Sequence, residues 1–256
     1  MSLSKADFDR YQDALKRIDS SSAAALEKAL ASAWRRGGKS SRSALKKITV
    51  DIAADIADQY GLAAGEVSAA LWEDIYYNDT GSRLEALLPN MEDYYDEYFG
   101  DAAQAMVEKY MDKDDTKAAM RFLANITSKA VWEWARRTQT HNTERVVRRG
   151  YKGADEARFA RVPQGADPCA WCLMLASRGF VYLSEWTAEH RASDGDLYHS
   201  CCRCIAISSF DSDPRLEGYD PDKYKDMYTS ATVLDDKGRV DLKETLHNMR
   251  QMYGLK

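Results

Sequence analysis

The stretch "KAAMRFLANITSKAVWEWARRTQTHNTERVVRRG", residues 117 to 150, decides the class of fold. It carries the most persistent helical pattern in the chain, starting at Thr116 and running to about Arg149. The pattern predicts one long helix, or two with a break near Thr138 to Thr143, closed by Gly150. Working towards the N-terminus, the same texture continues. Ser4 with Asp7 resembles a helix start, and Phe8, Tyr11, Leu15 and Ile18 then recur at spacings of three and four. "SSSAAALEKALASAWRR" extends that helix with strong helix formers to a stop at Gly37 and Gly38. "SRSALKKITVDIAADIADQY" sets Leu45, Ile48, Ile52, Ile56 and Tyr60 on one face and is expected to end at Gly61. A third helix, "AGEVSAALWEDIYY", is expected to stop near Asn78 to Gly81. A fourth, from Ser82, would be interrupted by Pro89 and restart as "MEDYYDEYF". The aromatic and acidic residues of this region suit a binding surface. The plainer account, and the preferred one, is an amphipathic helix whose tyrosines pack with their hydroxyls outward.

Beyond Gly150 the texture changes. "ARFARVP", "GFVYLS" and "CRCIAISSF" have the β-branched and aromatic character of short strands. Between the first two, Pro168 can open a short helix in "DPCAWCLMLASRG" that ends at Gly179. Helix returns in "DPDKYKDMYTSA" and "VDLKETLHNMRQMYG". The expected fold is therefore mainly α. A helical domain at 1–150 is followed by a small α+β module at 151–211, expected to be stapled by zinc, and a helical tail at 212–256.

Hydrophobic residues at 45% and charged residues at 30% describe a soluble globular chain of 256 residues, long enough for a real core. A net charge of -5 argues against a dedicated nucleic-acid binder as a whole. Charge is uneven, however. From Ala135 to Arg161 there are eight Lys or Arg residues and three acids. Arg136, Arg137, Arg145, Arg148 and Arg149 are candidate contacts for DNA phosphates or for an acidic neighbouring protein, and a merely solvated helix surface is the plain alternative. No run approaches 18 apolar residues and the N-terminus has no apolar signal core, so neither a membrane span nor secretion is expected.

All five cysteines lie in two short stretches, "CAWC" at 169 to 172 and "YHSCCRC" at 198 to 204. In a reducing compartment such clustering points to metal or redox chemistry instead of a disulfide framework. Cys169 and Cys172 have the C-x2-C spacing that lets two thiolates reach one zinc ion, and His199 and Cys202 form a second half-site. The preferred ligand set is Cys169, Cys172, His199 and Cys202, with Cys204 able to replace either member of the second pair. Cys201 is expected to point away, because residues on a strand alternate faces. Buried thiols acting as small hydrophobes are the structural alternative. A thioredoxin-like centre fits the first half but would need no second cluster. A zinc deaminase requires H-x-E upstream, and "HNTE" at 141 to 144 has one residue too many. His141, His190, His199 and His247 lie in no recognisable nucleophile motif, so no catalytic residue is assigned.

In this order the pieces resemble the C-terminal part of the phage Mu F-like minor head proteins. Arg137, Thr138, Thr140, Asp167, Cys169, Cys172, His199, Cys202, Arg203 and Cys204 occupy the places of that family's motif, over roughly residues 134 to 207. Ser200 stands where the family often has Pro, Cys201 is an additional thiol, and "LMLASRG" replaces the usual Leu-Asp-Gly. The resemblance implies a non-enzymatic minor capsid or head-morphogenesis protein. It would be made in the host cytoplasm, sit in the head interior or at the portal, and contact portal and major capsid proteins, with DNA as a further partner. The alternatives are a capsid maturation protease or other metal-dependent enzyme, and a cytosolic zinc-dependent DNA-binding or adaptor module.

Overall fold

The computed structural model of the protein describes residues 3–37, 41–164, 168–182 and 204–255, apart from the side chain of residue 97. In chain order its elements are α1 (Lys5–Arg36), α2 (Arg42–Thr80), α3 (Glu92–Tyr94), a π-helical turn (Tyr95–Gly100), α4 (Asp101–Met111) and α5 (Thr116–Arg149). Then come β1 (Arg158–Val162), α6 (Ala170–Ala176), β2 (Ile205–Ser209), α7 (Pro221–Ala231) and α8 (Leu242–Tyr253). The fold is mainly helical with a small two-stranded sheet, as the periodicity predicts. The chain divides into two compact units that are discontinuous in sequence. One comprises Arg10–Ala70 and Leu87–Thr138; the other comprises Met1–Asp9, Leu71–Ala86 and Gln139–Lys256.

The first unit is helical. Its core gathers Leu26 and Leu30 of α1, Ala53, Ile56 and Ala57 of α2, Phe99, Val107 and Met111, and Leu123, Ala130 and Trp134 of α5. The expected stop at Gly61 is corrected: α2 continues unbroken through Gly61 and Gly65 to Thr80. The reason is packing. A Cβ on Gly61 would lie 2.0 Å from Cδ1 of Trp134, and one on Gly65 3.0 Å from Cε3 of the same ring. These glycines, one turn apart, let the α2 backbone approach the indole and do not terminate the helix. The expected helix from Ser82 is also corrected, since residues 82–91 are non-helical. Thr80 closes α2 by donating to Tyr76 O and accepting from Ser82 N, and Gly81 follows at φ 68°. Helix resumes only at Glu92, beyond Pro89.

The second unit holds the sheet. The α5 pattern resolves as one helix, without a break at 138–143. It ends in a paired turn in which Gly150 N bonds Val147 O at 3.2 Å and Tyr151 N bonds Val146 O at 3.1 Å, with Gly150 at φ 60°. Strands β1 and β2 are antiparallel, with Ala160 opposite Ile207. The expected "GFVYLS" strand is present as a single bridge from Tyr182 to Phe159, and its residues 183 and 184 lie outside the described part. Helix α6 begins at Ala170 with Cys169 as its N-cap, so Pro168 precedes the cap instead of opening the helix. Leu173 and Met174 of α6 pack with Leu246 and Met249 of α8 and with Ala231 of α7. Asp220 and Asp241 cap α7 and α8, accepting from Lys223 N and Glu244 N at 3.0 Å each.

Strand β2 is seated on helices by polar contacts. Ser208 Oγ accepts from Thr143 Oγ1 at 2.7 Å and donates to Gln139 Oε1 at 3.1 Å, while Trp72 Nε1 donates to Thr143 Oγ1 at 2.9 Å. Asp79 Oδ2 accepts from Ser209 Oγ and Phe210 N, both at 2.9 Å. Every one of these groups lies in the second unit, and Ser208, Thr143, Gln139 and Trp72 are buried. Unmade bonds there would each cost about 1–3 kcal/mol, so the network fixes how β2 lies on α5.

Candidate functional site

Three thiols meet at the junction of α6 and β2. Cys169 is extended (φ -77°, ψ 153°), which turns its side chain back over the first turn of α6, where Sγ accepts Cys172 N at 3.2 Å. Cys172 sits one turn into the helix, and the two Sγ atoms are 3.0 Å apart. Cys204 immediately precedes β2, and it packs with Cys172 although 32 residues separate them, with Cys169 against the pair. Cys172 and Cys204 are each 2% exposed, and none of the three is in a disulfide. The seating of β2 on α5 is what delivers Cys204 to the CxxC pair.

The donor chemistry suits zinc: soft thiols, with the N–H of Cys172 already placed to support a thiolate on Cys169. A disulfide needs sulfurs at about 2.05 Å, whereas two ligands of a tetrahedral ion with Zn–S bonds of ~2.3 Å stand about 3.8 Å apart. The observed separation of 3.0 Å matches neither. Among the described residues, no group of three or more His, Cys, Asp or Glu is arranged to hold a metal ion. His199, Cys201 and Cys202 lie outside the described residues, as does His190. Of the expected ligands, then, Cys169, Cys172 and Cys204 are brought together.

The arginines assigned from charge divide into two kinds. Arg136 is a correction: it is fully buried, so it belongs to the core of the first unit and not to a contact surface. Its Nε and Nη2 donate to Glu133 Oε2 at 3.0 and 2.7 Å. Arg137 Nε donates to Oε1 of the same carboxylate at 3.0 Å, and its guanidinium stands 5.4 Å from the ring centre of Tyr94. Burial works to raise the Glu133 pKa, but the charges and hydrogen bonds of Arg136 and Arg137 outweigh it and hold the carboxyl below its ordinary value. Arg148 and Arg149 are exposed in the last turn of α5, where cations oppose the negative end of the helix dipole. Arg145 is half-buried, and its Nη2 donates to Glu85 O. His141, one turn before Arg145, has a pKa lowered by partial burial and by the charges of Arg148 and Arg145, with Glu144 opposing them. His247 is exposed on α8.

The residues that composition and spacing missed are the buried polar ones of α5. Glu133 stands between Trp132 and Trp134, and Gln139 and Thr143 stand among Thr138, Thr140 and Asn142; only the partners they meet distinguish them from solvated positions. The run "RTQTHNT" at 137 to 143 is the one legible signal for Gln139 and Thr143, and Glu133 has none. Among the described residues, no helix is long and apolar enough to cross a membrane.

A family model described as VG15 protein matches residues 2–231. No curated protein and no solved structure matches the chain. The family match spans both helical and sheet-bearing parts and nearly the whole sequence, and by it the chain belongs to the VG15 protein family, a family of phage proteins.

Proposed function

We propose that the protein is a structural minor head protein of the Mu F-like kind, without catalytic activity. It would be carried in the virion and act near the portal during head assembly or DNA packaging and ejection, beside portal and major capsid proteins. Membership of a phage family over residues 2–231 supports the virion setting. The observation that carries the finer reading is the convergence of Cys169, Cys172 and Cys204, because the Mu F-like resemblance rests on the same two cysteine clusters.

In this reading a zinc ion joins the clusters, held by Cys169 and Cys172 with partners from His199, Cys202 and Cys204. Bound there, zinc supplies folding free energy and no open coordination position for chemistry. The chain's own residues prepare the site: Cys172 N–H supports Cys169, α6 anchors the pair in the Leu173–Met249 core, and β2 positions Cys204. The exposed end of α5, with Arg148 and Arg149, serves as a contact surface for DNA or a neighbouring head protein, and Arg145 braces its base.

Two measurements test this. Elemental analysis of protein purified under reducing conditions is expected to find one zinc per chain, lowered in Cys169→Ser and Cys172→Ser. Metal-free protein with the thiols reduced refutes the zinc assignment. Mass spectrometry of purified phage particles is expected to find the protein in heads, and its absence from heads that retain portal protein refutes the virion role.

A further inference from the structure

The first unit carries a cavity of about 380 Å³ whose walls combine aromatic and acidic residues. Its apolar side is Trp134, Tyr95 and Pro89, and its acidic side is Asp58, Glu92 and Asp96. The cavity is open to solvent, so a protruding segment can reach its walls. Trp134 is 7% exposed, seated against Gly61 and Gly65, and its indole N–H is already satisfied by Tyr95 Oη at 3.1 Å. The indole therefore asks for no further hydrogen bond. The aromatic side offers apolar and π surface, which next to carboxylates favours a cation. Glu92 accepts a hydrogen bond from Asn90, and none of the three carboxylates pairs with a cation among the described residues.

A complementary surface lies on the same chain, in the other unit. At the end of α5, Arg148, Arg149 and Lys152 are exposed and make no ion pair among the described residues. Beside them, Val147 is 48% and Tyr151 41% exposed, which leaves apolar area in water next to three cations. This tip is held in shape by the paired turn at Gly150 and by Tyr76 Oη, which donates to Lys152 O at 3.0 Å. A preorganised segment loses little freedom on docking.

We infer that the acidic aromatic cavity receives the Arg148–Lys152 tip of a second copy of this chain. The inference rests on the reading of the α5 end as a contact surface and names its partner. Cations meet carboxylates, and Val147 and Tyr151 meet Pro89 and Trp134. Each copy offers one tip and one cavity, so copies join either reciprocally in a two-fold pair or head-to-tail in a ring or an open chain. Attraction between exposed charges weakens with salt.

Sedimentation velocity of the full chain, zinc-loaded and reduced, tests this at low and high salt. The wild type is expected to self-associate with rising concentration at low salt and to dissociate at high salt. Asp58→Lys/Asp96→Lys and Arg148→Glu/Arg149→Glu are each expected to weaken association by about tenfold or more. Mixing the two charge-reversed proteins is expected to restore a mixed assembly, because each retains one intact surface and the reversed pair is again complementary. The milder Asp58→Asn/Asp96→Asn serves if the reversal disturbs folding, as judged by circular dichroism, and is expected to weaken association in the same sense. Two results overturn the inference. One is a wild type that stays monomeric at low salt; the other is association that neither charge-reversed protein weakens. The presence of the protein in phage heads is measured separately, so failure here leaves the head-protein reading standing or falling on its own test.

Discussion

Replacing Glu133 by Gln is expected to be among the most costly single changes to the helical unit. Glu133 is 3% exposed and accepts three N–H bonds, two from Arg136 and one from Arg137. Arg136 is fully buried, so its charge cannot turn to water when the carboxylate goes. Breaking a buried pair from one side costs about 3–5 kcal/mol, mostly as the penalty of the remaining charge. A domain of this kind is stable by roughly 5–15 kcal/mol, so Glu133→Gln removes a large share. The mirror change Arg137→Gln is expected to cost about 1 kcal/mol or less, since that side chain is a quarter exposed and its pair is screened. Urea unfolding followed by circular dichroism reads both as midpoint shifts with the slope unchanged. The pH dependence follows the same group. The folded carboxyl titrates below its unfolded value because the two arginines outweigh burial. Its contribution is therefore complete above the unfolded carboxylate range and is lost as pH falls through the depressed folded value. Glu133→Gln abolishes that part of the acid sensitivity. A cost below about 1 kcal/mol, against the ~3–5 kcal/mol expected for a buried pair, refutes the reasoning. So does an acid unfolding curve identical to that of the wild type.

Two further outcomes come from packing and titration. Gly61→Ala raises helix propensity by about 1 kcal/mol, but its Cβ would stand 2.0 Å from Trp134 Cδ1. Overpacking costs about 1–3 kcal/mol, so the net change is expected to be a loss of stability with an altered tryptophan near-ultraviolet signal, and a stabilised variant contradicts the close approach. The His141 imidazole is expected to titrate below its ordinary value in an NMR series, through partial burial and the charges of Arg148 and Arg145, and Arg148→Gln is expected to raise it. With the folded value depressed, the unfolded chain binds more protons, so stability rises with pH across the window between the two values. An unchanged imidazole pKa in Arg148→Gln refutes the arginine's part.

The long helices, the start at Ser4, the two strands and the helix between them were legible because each depends on residues near in sequence. What misled was glycine. Gly81 and Gly150 adopt positive φ and end their helices, whereas Gly61 remains helical. A sequence shows the residue type and not the ring that lies against it. The same limit applies to arginine: Arg136 and Arg148 look alike in a basic run, yet one is buried on Glu133 and the other faces solvent.

The sequence by itself determined the mainly helical class, the switch to short strands after Gly150, and the concentration of every thiol in one window. Those follow from periodicity and composition, which act over a turn or two of chain. Only the tertiary structure decided that Cys204 joins Cys169 and Cys172, because that requires β2 to be seated on α5 through Thr143, Gln139 and Ser208. Only it separated the buried cation of Arg136 from the exposed ones of Arg148 and Arg149. Burial is a property of what surrounds a residue, and residues distant in sequence supply those surroundings.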